Sequence, residues 1–149
     1  VTEPALTDSS SPDAAVAAAV PGDAPTTIGP VRLELPPQSV MSRVARLTAT
    51  GVASMAGFSI EDIDDINVMV SEVMVALVEH GALSTILVTF DVIDGCFTVR
   101  GAADLSHFDL DHPDLALCRT VLEAVSTRHG IEGTHERAEI WASLQQHTS

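Results

Sequence analysis

Apolar and polar positions change their spacing several times along the chain, and each change marks an element. Residues 31–35 (Val-Arg-Leu-Glu-Leu) alternate and then meet Pro36-Pro37, which predicts a short strand, because proline cannot donate to a ladder. From Ser39, placed as an N-cap, to about Gly57, the residues Val40, Val44, Leu47, Gly51 and Met55 recur at spacings of three and four. That pattern predicts a helix with these residues as its buried stripe and Gly51 as a point of close packing. The next helix carries fuller start signals. Ser59 and Asp62 resemble a capping box, Phe58 and Ile63 are placed as a hydrophobic staple, and Glu61, Asp62, Asp64 and Asp65 suit the positive end of the helix dipole. Ile63, Ile66, Met69, Val70, Val73, Met74 and Leu77 give it a wide apolar face, and Gly81 is the stop signal.

Two strands are predicted next, over about 84–92 and 96–101, joined by the hairpin dipeptide Asp94-Gly95. Pro113 opens a further helix with Leu115, Cys118, Val121, Leu122 and Val125 turned inward. After Gly130 and Gly133 a last strand over about 137–144 alternates Ala138, Ile140, Ala142 and Leu144 with Glu139, Trp141 and Ser143. The order strand, helix, helix, hairpin, helix, strand predicts an α/β (α+β) two-layer sandwich, with helices covering one face of a mixed β-sheet. Residues 1–29 are rich in Pro, Ala and Ser, broken by Pro4, Pro12, Pro21 and Pro25, and are expected to form a disordered tail ahead of a domain over 30–146.

Composition narrows the partners. Apolar residues make up 46% of the 149-residue chain but aromatics only 3%, so one core must be built from Val, Ile, Leu, Ala and Met. The formal charge is −14, there is no lysine, and the seven arginines are scattered. Nucleic acid and anionic membranes are therefore poor partners, and a basic protein surface is a good one. Cys96 and Cys118 stand in apolar surroundings and read as reduced packing residues. No apolar run approaches the ~20 residues that span a bilayer. The run 14–20 is short and follows no basic residue, unlike a secretory leader, so a cytoplasmic protein is expected.

The segment 71–81, Ser-Glu-Val-Met-Val-Ala-Leu-Val-Glu-His-Gly, carries most of the candidate chemistry. It sets Glu72, Ala76 and His80 on one helical face, with a methyl group in the middle of the stripe. This helix follows an opening strand and a Pro-linked helix bearing Arg43 and Arg46, and precedes an Asp-Gly hairpin and a C-terminal strand bearing Trp141. In that order and spacing, from about 31 to 144, the chain resembles the bacterial anti-sigma factors and serine-protein kinases of the Bergerat (GHKL, histidine-kinase-like) ATP-binding fold. The family's long helix reads Ser-Glu-x-x-x-Asn-Ala-x-x-His-Gly. The resemblance makes Glu72 the general base or water-orienting acid and places the magnesium-binding Asn at Ala76, while His80-Gly81 is retained.

Two further motifs map onto changed residues. The family's adenine-binding Asp-x-Gly falls on Gly101 and Ala103, with Asp104 nearby but out of register. Its phosphate-cradling Gly-x-Gly-Leu falls on His112-Pro113-Asp114-Leu115, which keeps only the leucine. Asp104, Asp109, Asp111 and Asp114 crowd this region, where carboxylates repel a triphosphate and proline removes a donor. The cofactor positions implied are thus Ala76, His80, Gly101, Ala103, Asp104 and Leu115, all within a degenerate site, and the expectation is no cofactor rather than ATP with Mg.

The function implied is that of an anti-sigma-like regulator that binds a sigma factor and/or a STAS-domain anti-anti-sigma protein. Arg43 and Arg46 are its partner-binding candidates, and a homodimer is expected. The alternative is an ATP-dependent serine-protein kinase acting on a STAS antagonist, with Glu72 as base. His107, Asp109, Asp111, His112 and Asp114 have the residue types of a metal cluster but are read as a solvated loop, with no metal site.

Overall fold

Hydrogen bonding between strands sets the architecture of residues 24–147, the part of the chain that the computed structural model describes. The elements are β1 (Ile28–Leu35), α1 (Met41–Met55), α2 (Ile60–Glu79), β2 (Ile86–Ile93), β3 (Cys96–Asp104), α3 (Pro113–Val125), β4 (Arg128–Thr134) and β5 (Arg137–Gln145). The strands form one sheet in the order β1-β2-β3-β5-β4. β1 begins at Ile28, ahead of the residue at which the alternation becomes visible. Most of the expected tail, residues 1–23, lies outside the described residues, as does the run 14–20.

Every neighbouring pair in the sheet is antiparallel, so the sheet is not mixed. The reason is β4, which the alternation pattern does not reveal. With α3 leading straight into the last strand, that strand would run parallel to β3. Instead α3 leads into β4, a two-residue turn at His135-Glu136 reverses the chain, and β5 returns between β3 and β4. β4 reads Arg-His-Gly-Ile-Glu-Gly-Thr and pairs only with β5 at the sheet edge. A strand with two glycines and one large apolar residue has almost no hydrophobic pattern to see. The β2–β3 turn matches its sequence signal: Asp94 and Gly95 both have positive φ, 49° and 75°, the twist that suits a two-residue hairpin.

One face of the sheet carries the core. Ile86, Val88, Phe90 and Val92 of β2, Phe97 and Val99 of β3, and Ala138, Ile140, Ala142 and Leu144 of β5 are all buried. Against them α2 lays Ile66, Met69, Val70, Val73, Met74 and Leu77, each with no exposed surface. Burying a side chain of this size contributes about 1.5–3 kcal/mol, so α2 is the central support of the domain. Its start is fixed as the sequence indicates, with Ser59 Oγ accepting from the Asp62 N–H at 3.1 Å. The Asp62 carboxylate, itself buried, is engaged by the backbone N–H and ring of His147.

α1 is rotated relative to expectation. Its buried residues are Ser42, Ala45, Ala49, Val52 and Ala53, while Val40, Val44, Leu47, Gly51 and Met55 are exposed, Leu47 to 67%. The helix has two apolar stripes. The small one packs inward because Ala45, Ala49 and Ala53, each four apart, permit a close approach to α2. Gly51 touches nothing: a Cβ there would meet no atom within 4 Å, so it is not a packing notch. Val40 rather than Ser39 occupies the N-cap position, with no side-chain hydrogen bond.

Candidate functional site

The face that α2 presents to β3 and α3 gathers most of the residues singled out by sequence. Glu72, Ala76 and Glu79 of α2 line a shallow groove with Asp114, Leu117 and Cys118 of α3. Burial raises the Glu72 carboxyl above its ordinary value, and the charge of Glu79 pushes in the same direction. Burial also lifts the Cys118 thiol to about 11, helped by Glu72 and opposed by Arg119. A thiol held there is protonated at neutral pH, consistent with a packing residue rather than a nucleophile. Cys96 is likewise a free cysteine.

Under the helix, Gly101 sits in β3 with α2 directly above it. A Cβ at this position would lie 2.5 Å from Val73 Cγ1 and 2.9 Å from Leu77 Cδ1. Ala103, on the same side of the strand, is also buried. Space that could receive a carboxylate is therefore filled by two aliphatic side chains. Leu77 is the informative one, since the family motif has Ala at that place; the sequence signal was present in the motif itself but concerns a residue without chemistry. Leu115 is fully buried and belongs to the core. Asp104 is not part of this site, because alternation turns it to the other side of the strand, where it is exposed and accepts from Arg137 Nη1 at 2.9 Å.

The end of α2 and the start of α3 meet through side chains. His80 is the C-cap of α2, and its ring stands edge-on to Phe108 at 6.0 Å and to His112 at 5.0 Å between centroids. His112 is the N-cap of α3, its Nδ1 accepting from the Asp114 N–H at 3.1 Å. Ligand-capable atoms of His80, His112 and Asp114 all lie within 4.8 Å of one another. The His/Asp loop read as solvated is thus divided. His107, Asp109 and Asp111 are exposed, with Asp109 Oδ1 accepting from the Asp111 N–H, while His112 and Asp114 turn toward His80. Linear spacing could not show this, because His80 belongs to a different helix.

The two arginines separate as well. Arg46 reaches α2, donating from Nη1 to Ser71 Oγ at 3.3 Å, beside the Thr50–Asn67 hydrogen bond. Arg43 is exposed and flanks the outward apolar stripe of α1.

Comparison with known proteins finds a group of relatives. The chain is 32% identical over 85 residues to the serine-protein kinase RsbW of Listeria innocua, a match covering 54% of each chain. The RsbW of Listeria monocytogenes matches equally, and that of Bacillus velezensis is 29% identical over 90 residues, 58% of this chain and 56% of the relative. Over that stretch the chain is similar to RsbW. It spans about half the length of the curated relatives it matches. Among solved structures, the crystal structure of the RsbU and RsbW domains of Rv1364c from Mycobacterium tuberculosis superposes with a TM-score of 0.65 at 18% identity, covering 80% of this chain and 32% of that one. The chain therefore has the expected α+β fold, with five antiparallel strands and three helices among its described residues. No protein-family model matches it. No helix among the described residues is long and apolar enough to cross a membrane.

Proposed function

We propose that this chain is an anti-sigma-like regulator that binds a sigma factor and/or a STAS-domain anti-anti-sigma protein without using ATP. The observation that carries the reading is the filling of the space above Gly101 by Val73 and Leu77. Mg-ATP, which the resemblance implies, does not suit the residues present. Ala76 offers no ligand to magnesium, Gly101 offers no carboxylate to adenine, and α3 begins with a histidine cap, Pro113 and Asp114 rather than a glycine turn. A hydrogen bond to a charged group is worth about 1.5–3 kcal/mol, so losing two weakens binding by roughly 10²–10⁴-fold. Asp104, the remaining acidic candidate for the adenine contact, is held by Arg137.

Calorimetry on the full chain tests the proposal. The expected result is no magnesium-dependent ATP binding in the micromolar range, together with measurable binding of a purified sigma factor or STAS protein. A low-micromolar Mg-ATP affinity overturns it. The second reading, a serine-protein kinase acting on a STAS antagonist, is favoured by the names of the relatives and by Glu72, which keeps the acid position with a raised carboxyl. Transfer of radiolabelled phosphate to a STAS serine, lost in Glu72→Gln, would put that reading first.

A further inference from the structure

We propose that His80, His112 and Asp114 form a binding site for a zinc-class divalent transition metal, joining the end of α2 to the start of α3. The residue types are those of a zinc site: two imidazoles and one carboxylate, with a fourth position left for water or an incoming ligand. Their ligand-capable atoms already lie within 4.8 Å of one another. Bonds of about 2.0–2.2 Å in a tetrahedron put neighbouring ligand atoms roughly 3.4 Å apart, so closing the site takes a contraction of about 1.5 Å at most.

The surroundings favour a cation held in this place. His80 is half-buried, and its ring is braced edge-on by Phe108, itself buried. His112 and Asp114 are fixed in relation to each other by the first turn of α3, with Nδ1 of His112 at 3.7 Å from Asp114 Oδ2. That nitrogen now accepts from the Asp114 N–H; on loading, the cation takes the lone pair and the helix exchanges a cap for a metal bond. Between Ala102 and Cys118 there is no lysine or arginine, and Arg119 beyond it is directed to the Leu110 carbonyl at 3.1 Å. A net charge of −14 raises the local concentration of cations further.

The position gives the site a consequence. The segment 105–112 links β3 to α3 and is already tied at Leu105 to Glu136, at Ser106 to Gly81 and at Phe108 to His135 through backbone hydrogen bonds. A metal on His80 and His112 would close the remaining end of that segment against α2. His80 and the 112–115 turn fall at positions of the degenerate ATP motifs, but the metal site is built from His80, His112 and Asp114 alone and needs no bound nucleotide.

The test is a titration of the chelator-treated full chain, free of nucleotide, with Zn²⁺ by calorimetry and with Co²⁺ by visible absorption. The expected result is one saturable site, with the d–d bands of a tetrahedral Co²⁺ complex and protection of 105–112 from proteolysis when loaded. His80→Gln and His112→Asn should each weaken binding at least about 100-fold, the upper end of what losing an outer partner of a metal ligand costs. Asn at 112 retains a capping side chain, so folding is preserved. His129→Gln with His135→Gln should leave binding unchanged. Equal affinity in the parent and in His80→Gln, loss in the His129/His135 double variant instead, or binding of Mg²⁺ but not Zn²⁺ would each overturn the proposal. Should His112→Asn fail to fold by circular dichroism, His80→Gln at the half-buried C-cap of α2 decides alone.

Discussion

Gly101 shows how one residue can be set by the side chains packed above it. A glycine in the middle of a central strand sacrifices packing, and it is tolerated here because Val73 and Leu77 occupy the volume its side chain would need. Gly101→Ala is expected to destabilise the domain by about 1–3 kcal/mol through overpacking. Gly101→Asp should cost more, since it adds a buried carboxylate to the same clash. Leu77→Ala alone should cost about 2–5 kcal/mol by leaving a cavity. The combination of Leu77→Ala with Gly101→Asp should be less destabilising than the sum of the two, because the truncated leucine makes room for the new side chain. Urea denaturation of the four variants measures this coupling. Strict additivity would mean that the two side chains do not compete for one space.

At the scale of elements, legibility followed how strongly burial writes on the sequence. α2 was readable because nearly every large apolar residue on its face is buried, and the β2–β3 hairpin because Asp94-Gly95 meets the backbone demands of its turn. β4 was not, since an edge strand with two glycines has little surface to bury. α1 misled for the opposite reason: its larger apolar stripe is real but faces away from the core. The candidate site divides in the same way. Glu72, Ala76 and His80 follow from helical spacing, whereas the approach of His112 to His80 depends on how α2 and α3 pack. The outward stripe Val40, Val44, Leu47 and Met55, flanked by Arg43, suits a second copy of the chain. Leu47 is the most exposed of the four, and Leu47→Glu adds a charge to each copy that a contact through this face would have to bury. Sedimentation equilibrium should then show a dimer for the parent and a monomer for Leu47→Glu, with an unchanged circular dichroism spectrum. A parent that stays monomeric at high concentration would remove α1 as a self-association surface.

For the molecule as a whole, the contact between the C-terminal end of the described residues and the start of α2 makes stability depend on pH. His147 follows β5, and Asp62 lies in the first turn of α2; the buried carboxylate accepts from both the His147 backbone N–H, at 3.2 Å, and its ring Nδ1. The hydrogen bond to Asp62 and then the charge of that carboxylate raise the His147 imidazole above its ordinary value of 6.5. A histidine whose folded pKa exceeds its unfolded one binds its proton more tightly in the folded state. Its stabilising contribution is therefore complete below about pH 6.5 and is lost as pH rises through the folded value. Glu72 and Asp91 are raised too, mainly by burial, and also disfavour the folded state as they ionise. Their windows open at 4.5 and 3.8, the ordinary carboxyl values, well below that of His147. The expected outcome is a melting temperature that declines on going from pH 6 to pH 8 in the parent. His147→Gln should flatten that decline while leaving the acid-side dependence in place, because among His147, Glu72 and Asp91 the imidazole alone has its ordinary value in the upper window. The side chain of His147 is largely exposed, so added salt should shrink the effect without abolishing the hydrogen bond. A parent and variant with parallel pH profiles between 6 and 8 would show that the contact does not couple the chain end to α2.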